Sequence, residues 1–148
     1  MATGSCVRLA IGLGCDRGTP EATVEACLHA ALAQAGAQIA QVAVAASIEA
    51  KQDEAAFLSL AARHGWPLRW YAAAQLAAVP VPNPSETVLR YMGTPSVSEA
   101  AALLAAGAAD ASALLVEKHR LRGPDGRNAT VSIARMAQAP QGISDHAG

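Results

Sequence analysis

Three cations in this chain stand beside loops rather than along helix faces: Arg17, Lys51 and Lys118. Guanidinium and ammonium groups pair well with carboxylates, so cations at loops point to an acidic small molecule. Three helix starts, at Thr19, Asn83 and Ser96, add to this. Each leaves backbone N–H groups without internal partners at a positive dipole end, which seats an anion. Acid–base chemistry would fall to Glu99, Asp53 or Glu54. Each has a structural role to compete with that. Glu99 stands where a capping-box acid belongs after Ser96, and Asp53 and Glu54 favour the dipole of a helix that they open. The histidines, His29, His64, His119 and His146, show no paired spacing. No Ser-His-Asp set or metal-ligand pattern is present, so neither a metal nor a cofactor is expected. Three cysteines, Cys6, Cys15 and Cys27, are odd in number and widely spaced, which fits buried thiols in a reducing cytosol.

The elements that must position these groups follow from periodicity and punctuation. Val7–Leu13 is a continuous apolar run, which predicts a strand covered on both faces. Gly12, Gly14 and Gly18 predict a tight loop after it; Thr19 then caps a helix with Pro20 in its first position. Val24, Cys27, Leu28, Ala31, Leu32 and Ala35 form one helical face, Gly36 stops it, and Ile39–Ala45 is a second strand. The unit is βαβ and its crossover is right-handed. Its Gly12-x-Gly14-x-x-x-Gly18 spacing is one residue too long for a dinucleotide fingerprint, and no Gly-Lys-Ser/Thr follows.

Lys51-Gln52-Asp53-Glu54 precedes a helix with Phe57, Leu60 and Ala61 inward and Gly65 at its end. Leu68–Tyr71 reads as a short strand and Ala72–Leu76 as one helical turn. Pro80–Gly107 reads as two short helices. Asn83 caps the first, which Gly93 closes; Ser96 caps the second, with Gly107 just past its end. Ala113–Glu117 is a further strand, followed by the basic run Lys118–Arg122 and a Gly123–Gly126 turn. Ala129–Ala134 alternates apolar and polar residues and predicts a half-buried strand, antiparallel to the one before. Ligands of open α/β sheets favour the carboxyl ends of strands. Arg17, Lys51 and Lys118 should therefore converge at one cationic mouth.

With 148 residues the chain suits one domain, residues 1–148, with a core at about 7–135 and a tail at 136–148. Alanine supplies much of its apolar content and aromatics only 3%, which implies close helix–sheet packing with few large anchors. A net charge of -1 argues against nucleic acid as a partner. Ala26–Ile48 lacks Asp, Glu, Lys and Arg, but its glutamines and Gly36 make it a helix end, a turn and a strand rather than a membrane span. No signal peptide is evident, so the expected compartment is cytoplasmic and no membrane partner is expected.

Several motifs in order resemble one family, the C-terminal domain of the cobalamin-biosynthesis protein CbiG and its free-standing relative CobE. They are Gly12-Leu13-Gly14-Cys15-Asp16-Arg17-Gly18-Thr19, Lys51-Gln52-Asp53-Glu54, Pro82-Asn83-Pro84-Ser85 and Gly93-Thr94-Pro95-Ser96-Val97-Ser98-Glu99, then Lys118 and the Thr130-Val131 strand. The resemblance implies an α/β fold, a three-layer α/β/α sandwich with a mixed, mostly parallel sheet of about five strands. It implies a role in building the corrin ring of vitamin B12, with a corrinoid or precorrin intermediate bound in a cationic cleft and other corrin-pathway enzymes as partners. The alternative it implies is hydrolysis of the ring-A lactone of a cobalt-precorrin, with loss of acetaldehyde. The ligand-binding residues it implies come from three places. The glycine loop offers Gly14, Cys15, Arg17, Gly18 and Thr19, with Lys51 beside it. The middle stretch offers Asn83, Ser85, Gly93, Thr94, Ser96 and Glu99, and the late strand offers Lys118.

Overall fold

The computed structural model describes residues 7–79, 97–108 and 110–137. Strand β1 (Leu9–Cys15) leads through a five-residue loop into helix α1 (Glu21–Ala35). Strand β2 (Val42–Ile48), helix α2 (Ala55–His64) and strand β3 (Leu68–Tyr71) follow. Helix α3 (Ala73–Ala77) is one short turn, and helix α4 (Val97–Ala106) precedes the hairpin of β4 (Leu114–Arg122) and β5 (Asn128–Arg135). Gly36 and Gly65 end α1 and α2 with φ of 67° and 72°, a backbone that glycine adopts without steric cost.

The strands lie in the order β3-β2-β1-β5-β4. β1 pairs in parallel with β2, and β2 with β3, while β5 is antiparallel to both β1 and β4. Only β5 therefore runs against the other four, and the sheet is mixed and mostly parallel. On one face Leu9, Ile11 and Leu13 of β1 pack with Val24 and Leu28 of α1 and Phe57 and Leu60 of α2, all fully or almost fully buried. The other face is built from small residues: Ala10 and Val44 against Ala102 and Leu103, and Ala46 and Ile48 against Leu76, Ala100 and Ala101. The result is a three-layer α/β/α sandwich.

The second face depends on Gly12. A Cβ at that position would sit 1.8 Å from the Ser98 carbonyl oxygen and 2.8 Å from the Ala102 nitrogen. The backbone of α4 thus lies directly on the backbone of β1, the close packing that an alanine- and glycine-rich sequence implies.

Several expectations need correction. β1 runs on through Gly12 and Gly14 to Cys15, because β5 pairs with it from Leu9↔Arg135 to Cys15↔Ala129. The glycines are strand residues here, and the loop is only Asp16–Pro20. Thr19 does not cap α1. Its Oγ1 donates to the Asp16 carbonyl (2.7 Å) and its N–H to the same oxygen (3.1 Å), closing the loop instead. Pro20 occupies the cap position of α1, with no side-chain cap. β2 begins at Val42, since Ile39–Gln41 forms a 3-10 turn in which Gln41 accepts from the Gln38 N–H (2.8 Å) and donates to the Val7 carbonyl (3.1 Å). β4 continues through the basic run to Arg122, so Lys118 lies within the strand and not past it. β5 is not half-buried: Ser132 is as buried as Val131 and Ile133, because α4 covers the polar face as well. The predicted helix from Asn83 to Gly93, with Ser85, Thr94 and the Ser96 cap, lies outside the described residues, as does the end of the tail.

Candidate functional site

The densest set of predicted residues gathers at the carboxyl ends of β1 and β2. Arg17, in the β1–α1 loop, reaches across to the β2–α2 loop. Its Nη1 donates to Asp53 Oδ1 (2.7 Å) and lies 3.0 Å from Glu54 Oε2, and its Nη2 donates to the Ala50 carbonyl (3.1 Å). Glu54 does not cap its own helix. It turns back to accept from the Gly18 N–H (3.2 Å to Oε1), while Lys51 Nζ stands 4.0 Å from Oε2. Glu54 is only 3% exposed, so its charge needs those partners: an unpaired buried carboxylate would cost several kcal/mol, of order the penalty for any desolvated ion. One buried acid thus ties two loops and two cations together.

The loop is also held from the hairpin side. Asp16 Oδ2 accepts from Asn128 N (2.8 Å) and Nδ2 (3.2 Å), and Arg127 Nε donates to the Arg17 carbonyl (3.1 Å). Cys15, at the end of β1, has its thiol pushed up by burial; the Lys51 charge opposes the shift and Glu54 reinforces it. Arg17 holds the Asp53 carboxyl below the usual range through its hydrogen bond and charge. Between the starts of α1 and α2 an open cleft is lined by Arg17, Gly18, Thr19, Glu21, Asp53 and Ser59, among others.

This mouth is not cationic as the sequence implies. The two cations Arg17 and Lys51 face the two carboxylates Asp53 and Glu54, so the charges balance. Lys118 does not join it. It lies in β4, the edge strand, with β5 between it and β1, whereas Arg17 and Lys51 sit just past the ends of β1 and β2. The missing side chain of Gly14 leaves room for Thr130, whose Oγ1 would lie 2.5 Å from a Cβ there. Glu99 is fully buried in the first turn of α4. Among the described residues, Arg17, Gly18, Thr19 and Lys51 thus gather at one mouth, while Glu99 and Lys118 lie apart from it, in α4 and in β4.

Three buried serines escape any reading of spacing. Ser98 Oγ and Ser132 Oγ share a hydrogen bond (2.8 Å), Ser132 Oγ donates to the Glu117 carbonyl (2.5 Å), and Ser47 Oγ donates to the Leu13 carbonyl (2.7 Å). They stitch α4 and the sheet together, and only the alternation of β5 hinted at a polar stripe there. Among the described residues no cluster of His, Cys, Asp and Glu could hold a metal, and no helix is long and apolar enough to cross a membrane.

Residues 9–134 match the family model described as the cobalamin synthesis G C-terminus. The chain is 40% identical over 144 residues to Protein CobE from Sinorhizobium sp, covering 91% of this chain and 90% of that protein. It is 36% identical over 126 residues to a cobalt-precorrin-5A hydrolase from Priestia megaterium, covering 85% of this chain but only 32% of that protein. It thus spans about a third of the length of that relative. Among solved structures it is similar to CobE, a protein from the cobalamin biosynthetic pathway, with a TM-score of 0.71 and 30% identity over 90% of this chain and 93% of that one. It is also similar to the cobalamin biosynthesis protein chiG from Agrobacterium tumefaciens, with a TM-score of 0.58 and 31% identity over 88% of this chain and 99% of that one.

Proposed function

The chain belongs to the family of the cobalamin synthesis G C-terminus, which includes CobE, and on that premise we propose that it binds a polycarboxylated corrin-ring intermediate at the carboxyl edge of its sheet. The family places it in cobalamin biosynthesis, where precorrins carry acetate and propionate groups around a flat apolar ring. The observation that carries the reading is the Arg17–Glu54–Lys51 clasp. It holds a guanidinium and an ammonium at the strand ends, where ligands of open α/β sheets bind. Gly14 and Cys15 at the end of β1, with Gly18 and Thr19 in the loop after it, lie beneath. Glu99, in the first turn of α4, and Lys118, in β4, are further candidate contacts, as are Asn83, Ser85, Gly93, Thr94 and Ser96, which lie outside the described residues. Other corrin-pathway enzymes are then the proteins that deliver or receive it, and the compartment is the cytoplasm.

The test is a titration with a late precorrin, followed by visible absorbance and by co-elution. A shifted spectrum and a stable complex are expected, weakened at least several-fold in Arg17→Gln. An unchanged spectrum with no co-elution overturns the reading.

Similarity to the Priestia megaterium hydrolase favours a second reading, in which the chain itself opens a ring-A lactone and releases acetaldehyde. Glu99, buried in the first turn of α4, is then the base. Acetaldehyde released by the purified chain and lost in Glu99→Gln supports this; none released leaves binding as the function.

A further inference from the structure

Resting on the binding reading above, we infer that Asp53 is a built-in stand-in for a ligand carboxylate, occupying Arg17 until the intermediate displaces it. The two acids that meet Arg17 differ in kind. Glu54 is buried, accepts from the Gly18 N–H and also faces Lys51, so it is a permanent part of the clasp. Asp53 is 74% exposed and its ion pair with Arg17, itself 60% exposed, is its one side-chain contact among the described residues.

An exposed pair of this kind contributes little to stability, because water competes for both charges. It is therefore easy to exchange. Exchange costs no buried charge: Asp53 turns to water, and Arg17 stays anchored by Glu54 and the Ala50 carbonyl, with Nη1 turned to the newcomer. The guanidinium is held in place with its partner position already shaped for a carboxylate, and an incoming acetate or propionate group replaces like with like. The geometry also explains how a charge-balanced mouth takes an acidic ligand. Swapping Asp53 out leaves Arg17 and Lys51 against one internal acid and the ligand's own.

The test is a double-mutant cycle on binding, with uroporphyrin as a tetrapyrrole bearing acetate and propionate groups and absorbance as the readout. Asp53 is exposed, so Asp53→Asn retains the fold. The variant should bind two- to fivefold more tightly than the wild type, about the range that an exposed ion pair withholds. In an Arg17→Gln background the same change should have almost no effect. Tightening that persists without Arg17 means a general loss of negative charge and overturns the inference. Wild-type binding with no tightening in Asp53→Asn overturns it while leaving the binding reading intact. Binding by neither protein, with uroporphyrin or a late precorrin, overturns both.

Discussion

Replacing Gly12 by alanine is the most informative single change in this fold. The added Cβ would lie 1.8 Å from the Ser98 carbonyl oxygen, where real Cβ atoms essentially never come within 3.0 Å. Something must move by at least 1.2 Å, the difference between those two distances. Both close partners, Ser98 O and Ala102 N, are backbone atoms one turn apart on α4, so no side chain can rotate out of the way. The helix as a whole has to lift. A gap of 0.5–1 Å already forfeits about a quarter to a half of each dispersion contact, and α4 buries Ala100, Ala101, Ala102, Leu103 and Ala106 in this layer. Lifting also breaks the Ser98–Ser132 hydrogen bond, worth roughly 1 kcal/mol. With overpacking itself costing about 1–3 kcal/mol, the total comes to about 2–4 kcal/mol. For a chain of this size that is a fall in Tm of about 10 °C. Gly14 supplies the control. It lies two residues on, on the same face, and a Cβ there meets only Thr130 Oγ1 at 2.5 Å, with the next atom at 4.0 Å. One rotamer change of Thr130 relieves that contact, so Gly14→Ala should cost about 1 kcal/mol, near the average point mutation. Thermal and urea denaturation followed by circular dichroism measure both. Gly12→Ala within about 1 kcal/mol of the wild type, or Gly14→Ala equally damaging, would refute the claim that α4 rests on the β1 backbone.

Two further outcomes follow from the α1 side. Arg63, in the last turn of α2, pairs with Glu21 (2.7 Å) and with Glu25 of α1, and its hydrogen bond is the largest reason that the Glu25 carboxyl lies below its ordinary value, with His29 adding to it. A depressed carboxyl contributes stability that is present above its unfolded value, about 4.3, and is lost as pH falls through the folded one. Arg63→Met should therefore be slightly less stable than the wild type at pH 7, and the gap should shrink at pH 3 in urea titrations; an unchanged gap refutes the pairing. The buried Cys27 thiol, which donates to the His119 carbonyl (3.3 Å), is pushed up to about 12 by burial. Iodoacetamide at pH 8 should leave Cys27 unmodified in the folded chain and alkylate it after unfolding, as read by peptide mass, with Cys15 reacting between these extremes. Modification of Cys27 in the folded chain at the rate of a free thiol contradicts its burial.

Much of the architecture was legible in the residues because it is local. The helical face from Val24 to Ala35, the Gly36 and Gly65 stops and the inward Phe57, Leu60 and Ala61 depend on periodicity and on backbone preference within a few positions. The scarcity of aromatics and wealth of alanine announced a closely packed layer, and the ordered motifs announced the family. The site was legible only as a set of parts. Arg17 and Lys51 were named, but not the acids' hold on them, and Lys118 was expected just past a strand that in fact runs on to Arg122.

What the sequence by itself determined is thus the inventory of elements, their order and the residue types that small-residue packing and carboxylate chemistry require. Tertiary structure alone decided the rest. Glu54 meets Gly18 from 36 residues away, and no local propensity encodes which loop a buried acid will turn to. β5, from the far end of the chain, carried β1 past its glycines to Cys15, because strand ends are set by the partner that satisfies their hydrogen bonds. Pairing with β5 likewise kept the basic run in β4, which placed Lys118 within a strand rather than past its end.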